Sequence, residues 1–289
     1  MTEWVLGVVG GSGLDQMAGL EDARAERVES PFGEPSDLLT SGRIGRTRVV
    51  FLPRHGRGHR RNPSEINYRA NIDALKRAGC TDVLSLSAVG SLREELSPGM
   101  FVVVDQFVDR TFARAKSFFT DGVVAHVSMA QPVCPRLASL AAEAARTTGA
   151  PVVEGGTYLA MEGPQFSTRA ESLLYRSWGC GVIGMTNMPE AKLAREAELP
   201  YASVCMVTDY DCWREEGEAV EVGAILAVMR DNASKAQALV RALAERLTGP
   251  RPASPIDTNL DWAIVTPPGA RSPEAVARLD AVAGRVLNR

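Results

Sequence analysis

Two carboxylates, Asp209 and Asp211, lie just past an apolar run, Tyr201-Ala-Ser-Val-Cys-Met-Val207, that reads as a buried strand. Open α/β sheets hold their ligands in the crevice beyond the carboxyl ends of such strands. A carboxylate there accepts protons from an exocyclic amine, and a carboxyl whose pKa is raised can donate one to a ring nitrogen. That is the proton chemistry needed to expel a heteroaromatic nitrogen base as a leaving group. A buried carboxyl beside a second one tends to have its pKa raised, so one of the pair can stay protonated near neutral pH.

Other segments carry groups suited to an anion. Gly10-Gly11-Ser12-Gly13 follows an apolar strand, and its glycines let backbone N–H groups approach a phosphate, with the Ser12 hydroxyl beside them. A plain turn is the alternative. A dinucleotide fingerprint is opposed by Gln16, which stands where a third glycine is needed. Arg54-His55-Gly56-Arg57-Gly58-His59-Arg60-Arg61 is the densest basic stretch. Arginine at a strand end followed by histidine suits a dianion, and a solvated loop is the alternative. Ser87 and Ala88 end another strand with small residues that allow donors to reach an anion. Phe166, after Glu162-Gly163-Pro164-Gln165, either stacks on a purine or packs in the core. Val222, Ile225 and Leu226 have helical spacing and read first as ordinary core.

The chain has 289 residues, 45% hydrophobic and 23% charged, with a net charge of −3. It is long enough for one large domain, and its charge balance implies no nucleic-acid partner. Five scattered cysteines without CxxC spacing read as reduced thiols of a cytosolic protein. Three histidines without ligand spacing make a zinc site an unsupported reading. No run approaches about 18 apolar residues, and the N-terminus lacks the basic start of a signal peptide, so a cytoplasmic location without membrane contact is expected.

The elements that must position these groups alternate along the chain. Strands are expected over 4–9, 48–52, 82–87, 100–104, 157–161 and 182–183, besides the run ending at Val207. Helices are expected from Ser64 to about 78, and over 135–149, 167–178, 189–197 and 219–247, with a last one beginning at Ser272-Pro273. Such alternation predicts an α/β fold, a single-domain three-layer αβα with a mixed twisted central sheet flanked by helices. The main domain is expected over 1–249. The Pro-rich stretch near 250 leads into a tail, 250–289, too short to fold alone, which is expected to dock on the same domain or a neighbouring subunit.

From about residue 5 to 246 these blocks together resemble the S-methyl-5′-thioadenosine phosphorylases of the purine nucleoside phosphorylase superfamily. The resemblance rests on Gly10-Gly11-Ser12-Gly13-Leu14-Asp15, Arg54-His55-Gly56, Asn67-Tyr68-Arg69-Ala70-Asn71, Glu162-Gly163-Pro164-Gln165-Phe166-Ser167, Met185-Thr186 with Pro189-Glu190, and Thr208 to Trp213. It implies phosphorolysis: inorganic phosphate attacks C1′ of the nucleoside, adenine leaves, and a 5-substituted ribose 1-phosphate forms. No cofactor or metal is implied, phosphate being a co-substrate. By position, Ser12, Arg54, His55, Ser87, Ala88 and Thr186 correspond to the phosphate shell. Met185 corresponds to a ribose contact and Phe166 to a purine contact. Asp209 corresponds to the general acid at N7, and Asp211 to a ligand of the 6-amino group.

The resemblance also bears on specificity. Phosphorylases for 6-oxopurines place asparagine where Asp209 stands and glutamate where Ser167 stands, so this chain carries the 6-amino pair. Val222, Ile225 and Leu226 imply an apolar 5′ pocket, in which a buried 5′-hydroxyl without a partner would cost about 1–3 kcal/mol. His126 resembles a residue that a neighbouring subunit contributes to that pocket, which implies a homotrimer. Gly184, in place of an asparagine, and Asn187 are departures that reshape the sugar side. The competing expectations are a phosphorylase for 5′-deoxyadenosine or a 5′-halo analogue, one for methylthioinosine or 6-oxopurine nucleosides, an NAD-dependent oxidoreductase, and a nucleoside-binding protein without catalysis.

Overall fold

The computed structural model describes residues 3–11, 14, 16–214 and 222–288, with the side chains of 222–226 outside that description. The strands are β1 (Val5–Gly10), β2 (Glu21–Glu26), β3 (Leu39–Ile44), β4 (Thr47–Pro53), β5 (Asp82–Ser91), β6 (Phe101–Val104), β7 (Gln106–Asp109), β8 (Val152–Glu154), β9 (Thr157–Ala160), β10 (Val182–Gly184) and β11 (Tyr201–Tyr210). The helices are α1 (Tyr68–Arg77), α2 (Pro135–Arg146), α3 (Arg169–Ser177), α4 (Asn187–Glu196), α5 (Val222–Arg246), α6 (Pro273–Arg278) and α7 (Asp280–Leu287).

Among the described residues, all eleven strands belong to one mixed sheet. Its central members are parallel: β4, β1, β5 and β11 lie side by side in that order. Parallel strands need both faces covered, and the side-chain alternation shows how. Val49 and Phe51 of β4, Leu84 and Leu86 of β5, and Val204 and Met206 of β11 join the cluster beneath α2 and α5. Val50 and Leu52, Val83 and Val89, and Cys205 and Val207 from the same strands join the opposite cluster beneath α1 and α4. The three-layer αβα arrangement expected from the sequence is therefore the observed one.

The long strand β5 organises the site. Along one edge it pairs with β1 at Asp82 to Ser85, and then, antiparallel, with β10 at Gly90 and Ser91. Residues 86–89 pair with neither, so the sheet divides at the carboxyl end of β1, where a crevice must open. Along the other edge β11 follows β5 throughout, with one bulge: Val207 faces Val89 and Asp209 faces Gly90, leaving Thr208 as the extra residue.

Several boundaries differ from those expected. α1 starts behind Asn67, whose side chain accepts the Ala70 N–H, so Ser64 is not its cap. The Ser64 hydroxyl donates to Glu162 instead. α3 begins after Thr168, in a reciprocal capping box with Glu171, rather than at Ser167. Strands β2, β3, β7 and β8 escaped the pattern; β2 is an exposed edge of charged residues and alanine, which carries no apolar alternation. The last helix is two short ones that meet at Leu279.

The tail packs against the body of the same chain. Leu260, Leu279, Val282 and Ala283 enter the cluster that contains Ile72 and Leu75 of α1. Arg251 donates to the buried Asp82 at 2.5 Å and holds Asp257 at 2.7 Å, while Arg285 pairs with Glu198. Among the described residues no helix is long and apolar enough to cross a membrane. Removing one partner of a buried pair leaves a charge uncompensated, so Arg251→Ala should lower the unfolding free energy in urea by about 3 kcal/mol. A loss below about 1 kcal/mol would mean that Arg136, also on Asp82 at 2.6 Å, suffices alone.

Candidate active site

Arg54 leaves the end of β4 and is wholly buried. Its Nε donates to Glu190 Oε2 at 2.7 Å and its Nη2 to Glu190 Oε1 at 3.0 Å, a forked pair. Nη2 also donates to Ser85 Oγ at 2.6 Å, and Nη1 to the Leu86 carbonyl at 3.2 Å. Ser85 and Tyr201 both donate to Glu190 Oε1, at 2.7 and 2.9 Å. Burial works against the Arg54 charge, but the Glu190 carboxylate outweighs it and holds the guanidinium above its ordinary value.

Nη1 faces the first glycine loop. A Cβ on Gly11 would stand 2.7 Å from the Leu86 carbonyl and 3.1 Å from Arg54 Nη1, so only glycine permits this approach. Leu14 N–H closes the loop on the Gly11 carbonyl at 3.0 Å. Ser12 lies outside the described residues. On the neighbouring strand Ser87 Oγ is 2.9 Å from Thr186 Oγ1 and donates to Asn187 Oδ1 at 3.0 Å. Ala88 follows on β5. Thr186 stands at the N-cap of α4 but spends no hydroxyl on the cap, which leaves that hydroxyl to donate to Ser87 Oγ.

His55 is buried beside Arg54, and its Nδ1 is 2.9 Å from the Arg61 carbonyl. A carbonyl only accepts, so Nδ1 carries the proton and Nε2 presents a lone pair. His59 stacks on the ring at 4.1 Å between centroids. Burial, then the Arg54 charge, push His55 down to about 4. A cavity of about 380 Å³ opens beside it, lined also by Ser36, Arg60, Arg61 and Glu65. The basic stretch is thus not a uniform solvated loop: Arg54 is internal, and Arg57 and Arg60 lean on Asp37.

The carboxylate pair sits further along β5. The bulge at Thr208 re-aims the strand end, and Asp209 Oδ1 comes within 3.3 Å of where a Cβ on Gly90 would be. Asp209 Oδ2 accepts from Thr208 Oγ1 at 2.6 Å. Burial pushes the Asp209 carboxyl up, the Thr208 bond partly offsets this, and the charge of Asp211 adds to the rise. Asp211 Oδ2 accepts from Ser167 Oγ at 3.3 Å. From Ser85 to Gly90, five steps of strand separate the arginine end from the carboxylate end by roughly 16 Å.

Between these ends lie Met185 and the Gly163-Pro164 turn. A Cβ on Gly163 would be 2.6 Å from Met185 Sδ, so the thioether lies on that turn. Phe166 is 85% exposed, which removes the core alternative and leaves its ring free to stack. His126 is exposed and paired through its N–H to the Ala263 carbonyl at 2.9 Å; none of its described bonds reaches the other site residues. For Val222, Ile225 and Leu226 the side chains lie outside the described residues.

Two buried groups of this site had no sequence-derived role. Glu190 was noticed only as part of Pro189-Glu190, although an arginine buried at a strand end demands a carboxylate and could have pointed to it. Arg114 gave no signal. Its guanidinium donates to the carbonyls of Met185 at 2.5 Å, Met188 at 2.7 Å and Glu162 at 2.5 Å, and to Glu162 Oε1 at 3.2 Å. It thereby ties the Gly163-Pro164 turn to the 185–188 segment. Among the described residues no cluster of three or more His, Cys, Asp or Glu is arranged for a metal ion.

The depressed value of His55 makes a testable contribution to acid stability. The unfolded ring takes up a proton near pH 6.5, whereas the folded ring does so only near 4. The stabilisation is present above 6.5 and is lost as pH falls toward 4. His55→Gln should therefore lessen the fall in Tm across that interval, and an unchanged acid limb would show that the ring is not held neutral.

Comparison with known proteins places the chain in a family. The model of the phosphorylase superfamily matches residues 5–245. The S-methyl-5′-thioadenosine phosphorylase of Cereibacter sphaeroides is 61% identical over 285 residues, covering 98% of each chain. That of Bradyrhizobium diazoefficiens is 58% identical over 289 residues, covering 99% of each. Among solved structures, a methylthioadenosine phosphorylase from an Antarctic soil metagenomic library superposes with a TM-score of 0.92 at 45% identity, covering 97% of this chain and 99% of that one. The Schistosoma mansoni methylthioadenosine phosphorylase in complex with adenine superposes with a TM-score of 0.81 at 38% identity, covering 88% and 96%. The chain belongs to the phosphorylase superfamily, and within it to the family of the S-methyl-5′-thioadenosine phosphorylases.

Proposed function

We propose that this enzyme cleaves S-methyl-5′-thioadenosine with inorganic phosphate, forming adenine and 5-methylthioribose 1-phosphate. The observation that carries the reading is the bulged end of β11, which sets Asp209, with its raised carboxyl, beside Asp211 and Ser167. On this reading phosphate lies at the other end of the crevice, against Arg54 Nη1, Ser87, Ala88 and Thr186, with Ser12, outside the described residues, assigned to it by the family resemblance. His55 Nε2 accepts from the hydroxyl of a monoprotonated phosphate. As the glycosidic bond breaks, positive charge grows on the sugar and electrons move into the purine. Asp209 delivers its proton to N7 and makes adenine a neutral leaving group. Asp211, already accepting from Ser167, receives the 6-amino group, whereas a 6-oxo oxygen would meet a carboxylate and be repelled. Phe166 covers the purine, and Met185 lies against the ribose.

No metal or organic cofactor enters this reading. The family resemblance assigns Val222, Ile225 and Leu226, whose side chains lie outside the described residues, to the 5′ pocket, and on this reading the enzyme works in the cytoplasm as a homotrimer whose neighbouring subunit completes that pocket with His126. The exposure of His126 beside Val124, Trp262 and Val265, all exposed, supports a shared surface there.

The test is adenine release from methylthioadenosine with and without phosphate, beside 5′-deoxyadenosine, a 5′-halo analogue, adenosine and methylthioinosine. Phosphate-dependent release from methylthioadenosine, with adenosine and methylthioinosine poor, is the expected outcome. Turnover without phosphate would point to a hydrolase, and a preference for the deoxy or halo compound would change the 5′ group alone. Asp209→Asn should lower kcat/KM by more than about 100-fold, as loss of a general acid does. The acid works only while protonated, so kcat/KM of the unmodified enzyme should fall as pH rises through the raised Asp209 pKa. That limb should be missing in Asp209→Asn; its persistence would remove Asp209 from the role.

A further inference from the structure

Tyr158 of β9 is wholly buried, yet its phenol oxygen reaches the backbone of the segment that carries Thr186. The Thr186 N–H donates to Tyr158 Oη at 3.3 Å. Oη also fills the space that a side chain at position 184 would take. A Cβ on Gly184 would stand 2.1 Å from Oη, 2.7 Å from Cζ and 3.1 Å from Cε2. Gly184 is not in the left-handed region, so its backbone would accept an ordinary L residue. The phenol, and not the backbone, demands glycine there. Phe107 braces the ring edge-on at 5.8 Å between centroids. Burial pushes the phenol up to about 12, so it remains neutral and keeps its O–H.

The consequence falls on Thr186. Its hydroxyl makes no capping bond and pairs with Ser87 Oγ at 2.9 Å. The direction of that hydroxyl follows from the backbone that bears it, and Tyr158 Oη is the acceptor holding that backbone's N–H. We propose that Tyr158 and Gly184 form a matched pair in which the phenol acts as a positioning residue for the phosphate subsite. Tyr158 aims Thr186 at the anion, and Gly184 leaves the phenol its room. The inference rests on Ser87 and Thr186 being phosphate ligands.

Tyr158→Phe keeps the ring and its fit over Gly184 but leaves the buried Thr186 N–H without its acceptor. The KM for phosphate should rise about fivefold or more, with the KM for methylthioadenosine changed by less than about twofold. The phosphate dissociation constant of the free enzyme, measured by calorimetry, should weaken by the same factor. Gly184→Ala, which drives a Cβ into the phenol, should give the same phosphate-selective defect. The double variant should be no worse than Gly184→Ala alone, because both changes act through Thr186. An unchanged phosphate KM and dissociation constant in Tyr158→Phe would overturn the proposal, as would equal rises in both KM values, the mark of general loosening. If the unmodified enzyme released no adenine in the presence of phosphate, the reaction itself would be refuted. The phosphate dissociation constants of the variants would still decide the role of Tyr158.

Discussion

The buried ion pair of Arg54 and Glu190 is the constraint on which the rest of this structure depends. Both side chains are almost wholly removed from water, so neither charge is tolerable without the other. The pair joins four elements: Arg54 follows β4, Glu190 lies on α4, Ser85 comes from β5 and Tyr201 from β11. Satisfying one carboxylate thus sets the position of α4 against the sheet. Met185 and Thr186 lie just before α4 and Asn187 opens it, so the same bond places those groups over the crevice.

A second constraint is the way the sheet divides along β5. β1 leaves its edge after Ser85 and β10 joins only at Gly90, so one strand supplies both ends of the site. Cationic and small polar groups gather at the division, and the carboxylates gather where β10 begins. On the proposed reading, a nucleoside laid along this strand would have its leaving base at the carboxylate end and its sugar carbon toward Arg54. The bulge at Thr208 matters for the same reason. It turns the end of β11 so that Asp209 and Asp211 both lie against Gly90, where a larger residue would displace them.

Between the two ends, Arg114 acts as a hub for backbone carbonyls. It binds the Gly163-Pro164 turn and the 185–188 segment with charge-assisted bonds, on a side chain that is itself buried. The Gly163-Pro164 turn and the 185–188 segment are therefore held to one another through one side chain. Catalysis by positioning depends on such coupling, because a misplaced reacting atom is costly even when every ligand is present.

Much of this was legible in the chain itself. Apolar strands ending in glycine, small polar residues or carboxylates marked the crevice, because strand ends in an α/β sheet are where chemistry collects. The Asp209–Asp211 pair and the Arg54-His55 step were readable from residue type and order, whereas Ser167 came forward only through the family resemblance. The edge strand β2 was not, since an exposed strand needs no apolar alternation. Nor was the start of α1: Ser64 read as its cap, but the Ser64 hydroxyl is drawn to Glu162 and Asn67 caps the helix instead. What the tertiary structure alone decided were the contacts between residues far apart in the chain: Glu190 beneath Arg54, Arg114 across two loops, and Tyr158 against Gly184. Local sequence encodes propensity and periodicity. The partner of a buried polar group is chosen by three-dimensional proximity, which no short window of sequence contains.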